Sequence, residues 1–161
     1  MLRYLAAYGP AATADIRAWS GLSGLPEVVQ RLRPGLRTFR DERGRTLLDV
    51  PDAPLPDPDI PAPVRYLPAF DNAVLGYDDR SRIIDAADRG LSVQGARVLL
   101  VDSRVAGTWT SGGEGSDLTV AVTPLRRLTA AERADVTDEG VRLTTFLSDG
   151  SSAREPRTAE P

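Results

Sequence analysis

Apolar residues mark the elements of this chain before anything else does. Leu2, Leu5 and Ala6 recur at helical spacing, and the run ends at Gly9-Pro10, a helix stop. Thr13 then reads as the N-cap of a second helix. Asp15 lies in its first turn, where the helix dipole favours an acid, and Ile16 and Trp19 share a face. Ser20-Gly21-Leu22-Ser23-Gly24 is a turn. The spacing predicts a third helix over 25–33, with Pro26 tolerated in its first turn and Leu25, Val28, Val29 and Leu32 as a buried stripe. Pro34-Gly35 ends it. Strands are predicted over 36–40 and 46–50, joined through 41–45, where Gly44 supplies the positive φ such a loop often needs. Helices, tight turn and hairpin in this order are the pattern of a winged helix-turn-helix at 1–50.

The pattern then breaks. Residues 51–63, PDAPLPDPDIPAP, form a Pro-rich acidic connector, because repeated Pro removes backbone donors and favours extended chain. A second module, 64–148, begins with VRYLPAFD. A turn and short helix are expected over 78–85, and a hairpin from 96–101 and 105–110 through Asp102-Ser103-Arg104. Leu118, Val120 and Val122 alternate with Thr119, Ala121 and Thr123, the mark of a half-buried strand. Thr129-Ala130-Ala131-Glu132 is a capping box opening a last helix, on which Val136, Leu143 and Leu147 share an inner face. Polar residues 149–161 read as a disordered tail. The fold class is therefore α+β: a winged helix-turn-helix followed by a small β-rich domain with a C-terminal helix.

Composition narrows the chemistry. The 161 residues hold no His and no Cys, which removes imidazole bases, thiol catalysis, disulfides and the commonest zinc ligands. No metal and no cofactor is expected. No run is long enough for a membrane span, and a cytoplasmic setting is expected. Every basic residue is Arg. The net charge of −3 conceals an asymmetry: residues 1–50 hold 8 Arg against 5 acids, whereas each later stretch carries an acidic excess. The basic part coincides with the winged-helix pattern, so double-stranded DNA is the expected partner, held weakly and in a salt-sensitive way.

On the third helix, Glu27, Gln30 and Arg31 share the face opposite the apolar stripe. In a helix-turn-helix that face enters the major groove, where Gln pairs with adenine and Arg with guanine; a solvated face with a Glu–Arg pair is the alternative. In the hairpin, Arg37, Arg40, Arg43 and Arg45 can hold phosphate or form a solvated loop diluted by Asp41 and Glu42. Asp71, Tyr77, Asp78, Asp79, Arg80 and Arg82 form a polar cluster suited either to acid–base work or to an ion-pair network holding a turn. Trp109 either stacks on a base or fills a core. Gly112-Gly113-Glu114-Gly115 lacks the Lys and Ser/Thr of a phosphate loop.

The stretches YLAAYGPAATADIRAWSGL, LRTFRDERGRTLLDVPDAPLPDPD and YLPAFDNAVLGYDDRSRII, followed by VLLVDSRVAGTW and LTAAERADV, resemble bacterial winged helix DNA-binding domain proteins. These are relatives of the DNA glycosylases that unhook interstrand crosslinks. The resemblance runs over roughly residues 2–148 and implies tandem winged-helix modules followed by a β-rich C-terminal domain, acting on duplex DNA. It also implies a catalytic Gln–aliphatic–Gln or Gln–aliphatic–Asp motif in the glycosylase members. Neither Gln30-Arg31-Leu32 nor Gln94-Gly95-Ala96 matches it, and Ser103 stands where a Gly is common at the hairpin turn.

Three functions are weighed. The first is duplex DNA binding by the winged helix, non-catalytic as the chain stands, through Gln30, Arg31, Arg37, Arg40, Arg43 and Arg45. The second is the C-terminal fragment of a DNA repair glycosylase whose catalytic motif and a further winged-helix module lie upstream. The third is a protein-interaction scaffold.

Overall fold

A computed structural model describes residues 1–159; Glu160 and Pro161, the end of the expected tail, lie outside the described residues. The chain divides into two units. The first comprises Met1–Ile60 and Asn72–Arg80, the second Pro61–Asp71 and Ser81 onward.

In the first unit, α1 (Leu2–Tyr8), α2 (Thr13–Ser20) and α3 (Leu25–Leu32) are followed by the antiparallel pair β1 (Arg37–Arg40) and β2 (Thr46–Asp49). Ala11 adds a bridge to Leu48 on the other side of β2, with N···O distances of 2.8 and 3.0 Å. This is the order and pairing of a winged helix-turn-helix. Its core is Tyr4, Leu5, Ala11, Ile16, Leu25 and Leu48. Gly21 and Gly24 take the left-handed φ values (+66° and +71°) that bend α2 into α3. The N-cap of α2 is Ala12 rather than Thr13: the Asp15 carboxylate reaches back 2.8 Å to the Ala12 N–H, so a side chain three residues on does the work expected of a cap. Of the expected α3 stripe only Leu25 is buried; Val28, Val29 and Leu32 are half-buried, because α3 lies over the core with one side in solvent.

The helix expected over 78–85 is absent. A single turn, α4 (Asn72–Leu75), lies earlier, and it joins the first unit rather than a continuous 64–148 module. Its Val74 is buried. Tyr4 Oη donates to Gly76 O (2.6 Å), Tyr77 Oη donates to Tyr8 O (3.1 Å), and the N–H groups of Asp78 and Asp79 donate to Asp15 Oδ1 (2.9 and 3.3 Å). Those two N–H groups are held by a carboxylate 63 and 64 residues away, so tertiary docking rather than local spacing fixes this stretch.

The second unit is a five-stranded sheet in the order β3 (Arg65–Tyr66), β4 (Val98–Val101), β5 (Arg104–Gly112), β6 (Thr119–Pro124), β7 (Arg157–Thr158). It is antiparallel up to β6, and β7 pairs parallel with β6. A short α5 (Arg89–Val93) precedes β4. The β4–β5 turn has both Asp102 (φ +50°) and Ser103 (φ +60°) left-handed, the two-residue hairpin turn that usually favours Asn-Gly. α6 (Ala130–Leu147) starts at Thr129 with both hydrogen bonds of a capping box: Glu132 N–H to Thr129 Oγ1 at 3.2 Å and Thr129 N–H to Glu132 Oε2 at 2.7 Å. Val136 and Leu143 face the core formed by Val64, Leu99, Val101, Ala106, Trp109, Val120, Val122 and Leu128. Leu147, expected to face inward, is exposed; Gly140 and Thr144 are the buried positions on that part of the helix.

Residues 149–159 also depart from the expected disordered tail. Ser152 N–H donates to Ser148 Oγ (2.9 Å), Pro156 packs on Gly140, and β7 joins the sheet. The hydrogen-bonding capacity of β6 and the missing side chain at position 140 hold a segment whose own composition is polar.

Candidate nucleic-acid interface

α3 stands on the turn 20–24 through the left-handed Gly24, and Pro26 in its first turn needs no N–H partner. With Leu25 anchored in the core, Glu27, Gln30 and Arg31 are all exposed on the opposite side. Gln30 and Arg31 thus fall together on one solvent-facing surface, with Glu27 beside them. Among the described residues, Arg31 forms no ion pair, and neither do Arg17 on α2 and Arg33 just past α3. Arg17 lines a concave surface with Thr13, Ala14, Gly24, Leu25 and Pro26, next to the start of α3. The helix-turn-helix pattern pointed to α3 and the hairpin; Arg17 and Arg33 were missed, although both stand in the same basic stretch.

The wing has a different character. Asp41 organises its loop: Oδ1 accepts the N–H groups of Arg43 (3.0 Å) and Arg45 (2.8 Å), and Oδ2 accepts Arg45 Nε at 2.6 Å. The Arg45 guanidinium holds the Asp41 carboxyl below its usual range, and the Arg45 pKa is raised in return. Asp79 enters from the 72–80 segment, its Oδ2 lying 2.8 Å from Arg43 Nη1 and 3.0 Å from Arg45 Nη2. Arg40 donates from Nη1 to Gly44 O (3.2 Å), and the Arg37 guanidinium lies over the Phe39 ring at 5.1 Å. Of the four wing arginines, Arg43 and Arg45 are therefore balanced by carboxylates, and among the described residues Arg37 and Arg40 are not.

The polar cluster is divided between the units. Asp78, Asp79, Tyr77 and Arg80 brace the winged helix, Arg80 Nε donating to Tyr77 O (3.0 Å), whereas Asp71 and Arg82 belong to the second unit. The geometry is that of a bracing network. Trp109 fills the second core: it is 7% exposed, donates from Nε1 to Leu67 O (2.8 Å), meets Tyr66 edge-on and lies beneath the Arg97 guanidinium. Among the described residues, no group of three His, Cys, Asp or Glu side chains is placed to hold a metal ion, and no helix is long and apolar enough to cross a membrane.

A winged helix joined to a β-sheet unit with a C-terminal helix is a fold shared with Streptomyces sahachiroi DNA glycosylase AlkZ, at a TM-score of 0.71 and 21% identity over 98% of this chain. The chain spans 43% of the length of that protein. The family model described as DNA glycosylase AlkZ-like matches residues 1–146, and the chain belongs to this AlkZ-like family. No curated protein matches the chain.

Proposed function

We propose that this chain binds duplex DNA through its winged helix, with Gln30 and Arg31 reading base edges and Arg37, Arg40, Arg43 and Arg45 contacting phosphates. The observation that carries this reading is the exposed Gln30–Arg31 face of α3, opposite a core-anchored Leu25 and with no ion pair to Arg31 among the described residues. Arg17 and Arg33 extend the unpaired basic surface and would add phosphate contacts. The chain contributes DNA contacts rather than chemistry. It contains no Gln–aliphatic–Gln or Gln–aliphatic–Asp motif and no His or Cys.

Fluorescence anisotropy against a duplex at low salt tests the reading. Binding should weaken steeply with salt, since each phosphate neutralised contributes about −0.9 to the slope of log K against log salt. Arg31→Ala should weaken binding by about 1–3 kcal/mol. No binding to any duplex at low salt overturns the proposal.

The family match favours a second reading, in which the winged helix positions DNA for glycosylase chemistry. Release of an alkylated base, or unhooking of a crosslink, by a protein that carries this chain together with a Gln–aliphatic–Gln or Gln–aliphatic–Asp segment, and not by this chain alone, would support this reading. Retention by protein partners with no DNA binding would instead support a scaffold.

A further inference from the structure

Two guanidinium groups of the wing converge on a single carboxylate oxygen, Asp79 Oδ2, at 2.8 Å from Arg43 and 3.0 Å from Arg45. This is how paired arginines hold a phosphate oxygen. We propose that Asp79 is a built-in competitor for phosphate: in the free protein it occupies the place on the wing that a DNA phosphodiester takes in the complex, so the Arg43–Arg45 site opens only when Asp79 is displaced. The inference rests on the duplex-binding reading and adds a regulatory contact to it.

Three features support a gate rather than a permanent brace. First, Asp79 does not belong to the wing. It arrives from a segment 36 residues beyond Arg43 in sequence, whereas the loop keeps its own carboxylate, Asp41, for its internal hydrogen bonds. Arg45 Nε stays on Asp41 at 2.6 Å, so its guanidinium remains in place when Asp79 leaves. Second, the backbone that carries Asp79 is held separately. Its N–H and that of Asp78 donate to Asp15 Oδ1, so the segment has an anchor that does not involve the Asp79 carboxylate. Third, the Arg43 side chain is 65% exposed, leaving a solvent approach for an incoming anion. The arginine side of these pairs is open to solvent while the Asp79 side chain is 13% exposed, so an incoming anion meets the guanidinium groups first and must contact several of them at once to displace the carboxylate.

The charge balance has a consequence for affinity. Arg43 and Arg45 carry two positive charges, and Asp41 and Asp79 carry two negative ones. While Asp79 is in place, the attraction of these two guanidinium groups for phosphate is offset by the two carboxylates paired with them.

The test uses the whole chain, four single variants and one double variant. Asp79→Asn removes the charge but keeps the shape; Asp79→Ser makes the same comparison if the amide disturbs folding. Asp85→Asn removes a carboxylate paired to Arg104 in the second unit and controls for net charge alone. Arg45→Gln removes half of the site. Inorganic phosphate is titrated while the Arg43 and Arg45 Nε–H resonances are followed by NMR, and duplex affinity is read by anisotropy across a salt series. Asp79→Asn should bind phosphate at the wing and duplex at least about five-fold more tightly than the unmodified chain, with a salt slope steeper by about one counterion. Asp85→Asn should match the unmodified chain, and Arg45→Gln should abolish the gain when combined with Asp79→Asn. Equal or weaker phosphate binding by Asp79→Asn, or the same gain in Asp85→Asn, overturns the gate. Should no variant bind duplex while Asp79→Asn still gains phosphate affinity, the gate stands and the duplex-binding reading fails.

Discussion

Asp15 shows how much one buried side chain can organise. It is 4% exposed and accepts three backbone N–H groups, those of Ala12, Asp78 and Asp79. One carboxylate therefore starts α2 and fastens the 72–80 segment to it. Asp15→Ala removes the acceptor of all three donors, one buried and two part-buried, and should destabilise the protein by about 1–3 kcal/mol, measured by denaturant unfolding. Asp15→Asn keeps one acceptor oxygen and should cost less. An acid in the first turn of α2 was legible from its position alone, because the helix dipole acts locally. Its long-range donors were not, because no local rule names a partner 63 residues away.

Among the elements, α6 repeats the contrast. Its start was legible to the residue: Thr129 and Glu132 satisfy each other's backbone groups over a three-residue span. Glu132 is also held by Arg126, with bonds of 2.6 and 3.1 Å, and together Arg126 and the Thr129 N–H lower its pKa from about 4.5 to about 2. A lowered folded-state pKa means that the stabilisation is fully present above pH 4.5 and is lost as pH falls through about 2. Melting temperatures between pH 5 and pH 2 should therefore fall less steeply in Glu132→Gln than in the unmodified chain. The far end of α6 was less legible. Gly140 looks like a weak point in a helix, where Ala would normally gain about 1 kcal/mol. A Cβ there would lie 2.4 Å from Pro156 Cγ and 2.8 Å from Tyr66 Oη, so the packing reverses the sign. Gly140→Ala should lower thermal stability and raise hydrogen exchange in the tail segment, including the backbone N–H of Ala159 that donates to Val122 O. Unchanged exchange there would show that Pro156 yields without cost.

For the whole molecule, the chain is not two consecutive modules. Asn72–Arg80 belongs with Met1–Ile60, although it follows Pro61–Asp71, which belongs to the other unit. A fragment ending at Ile60 keeps every helix and strand of the winged helix but loses the acceptor of the Tyr4 hydroxyl and two donors to Asp15. Circular dichroism melting should therefore show a fragment of residues 1–60 markedly less cooperative than one of residues 1–80. Helix spacing, the Gly21–Gly24 turn, the Gly44 loop and the alternation over 118–123 act over a few residues, so the elements and their order could be read directly from the amino acids. The Gln30–Arg31 face was equally legible, because the periodicity that buries Leu25 turns those two outward. Which arginines are free to meet an anion was not legible. Arg43 and Arg45 are balanced by a carboxylate that only folding brings near, while Arg17 and Arg33 remain without ion pairs among the described residues. Local sterics and periodicity decide where chain becomes helix or strand; charge pairing depends on distance in space, and that distance exists only once the 72–80 segment has docked.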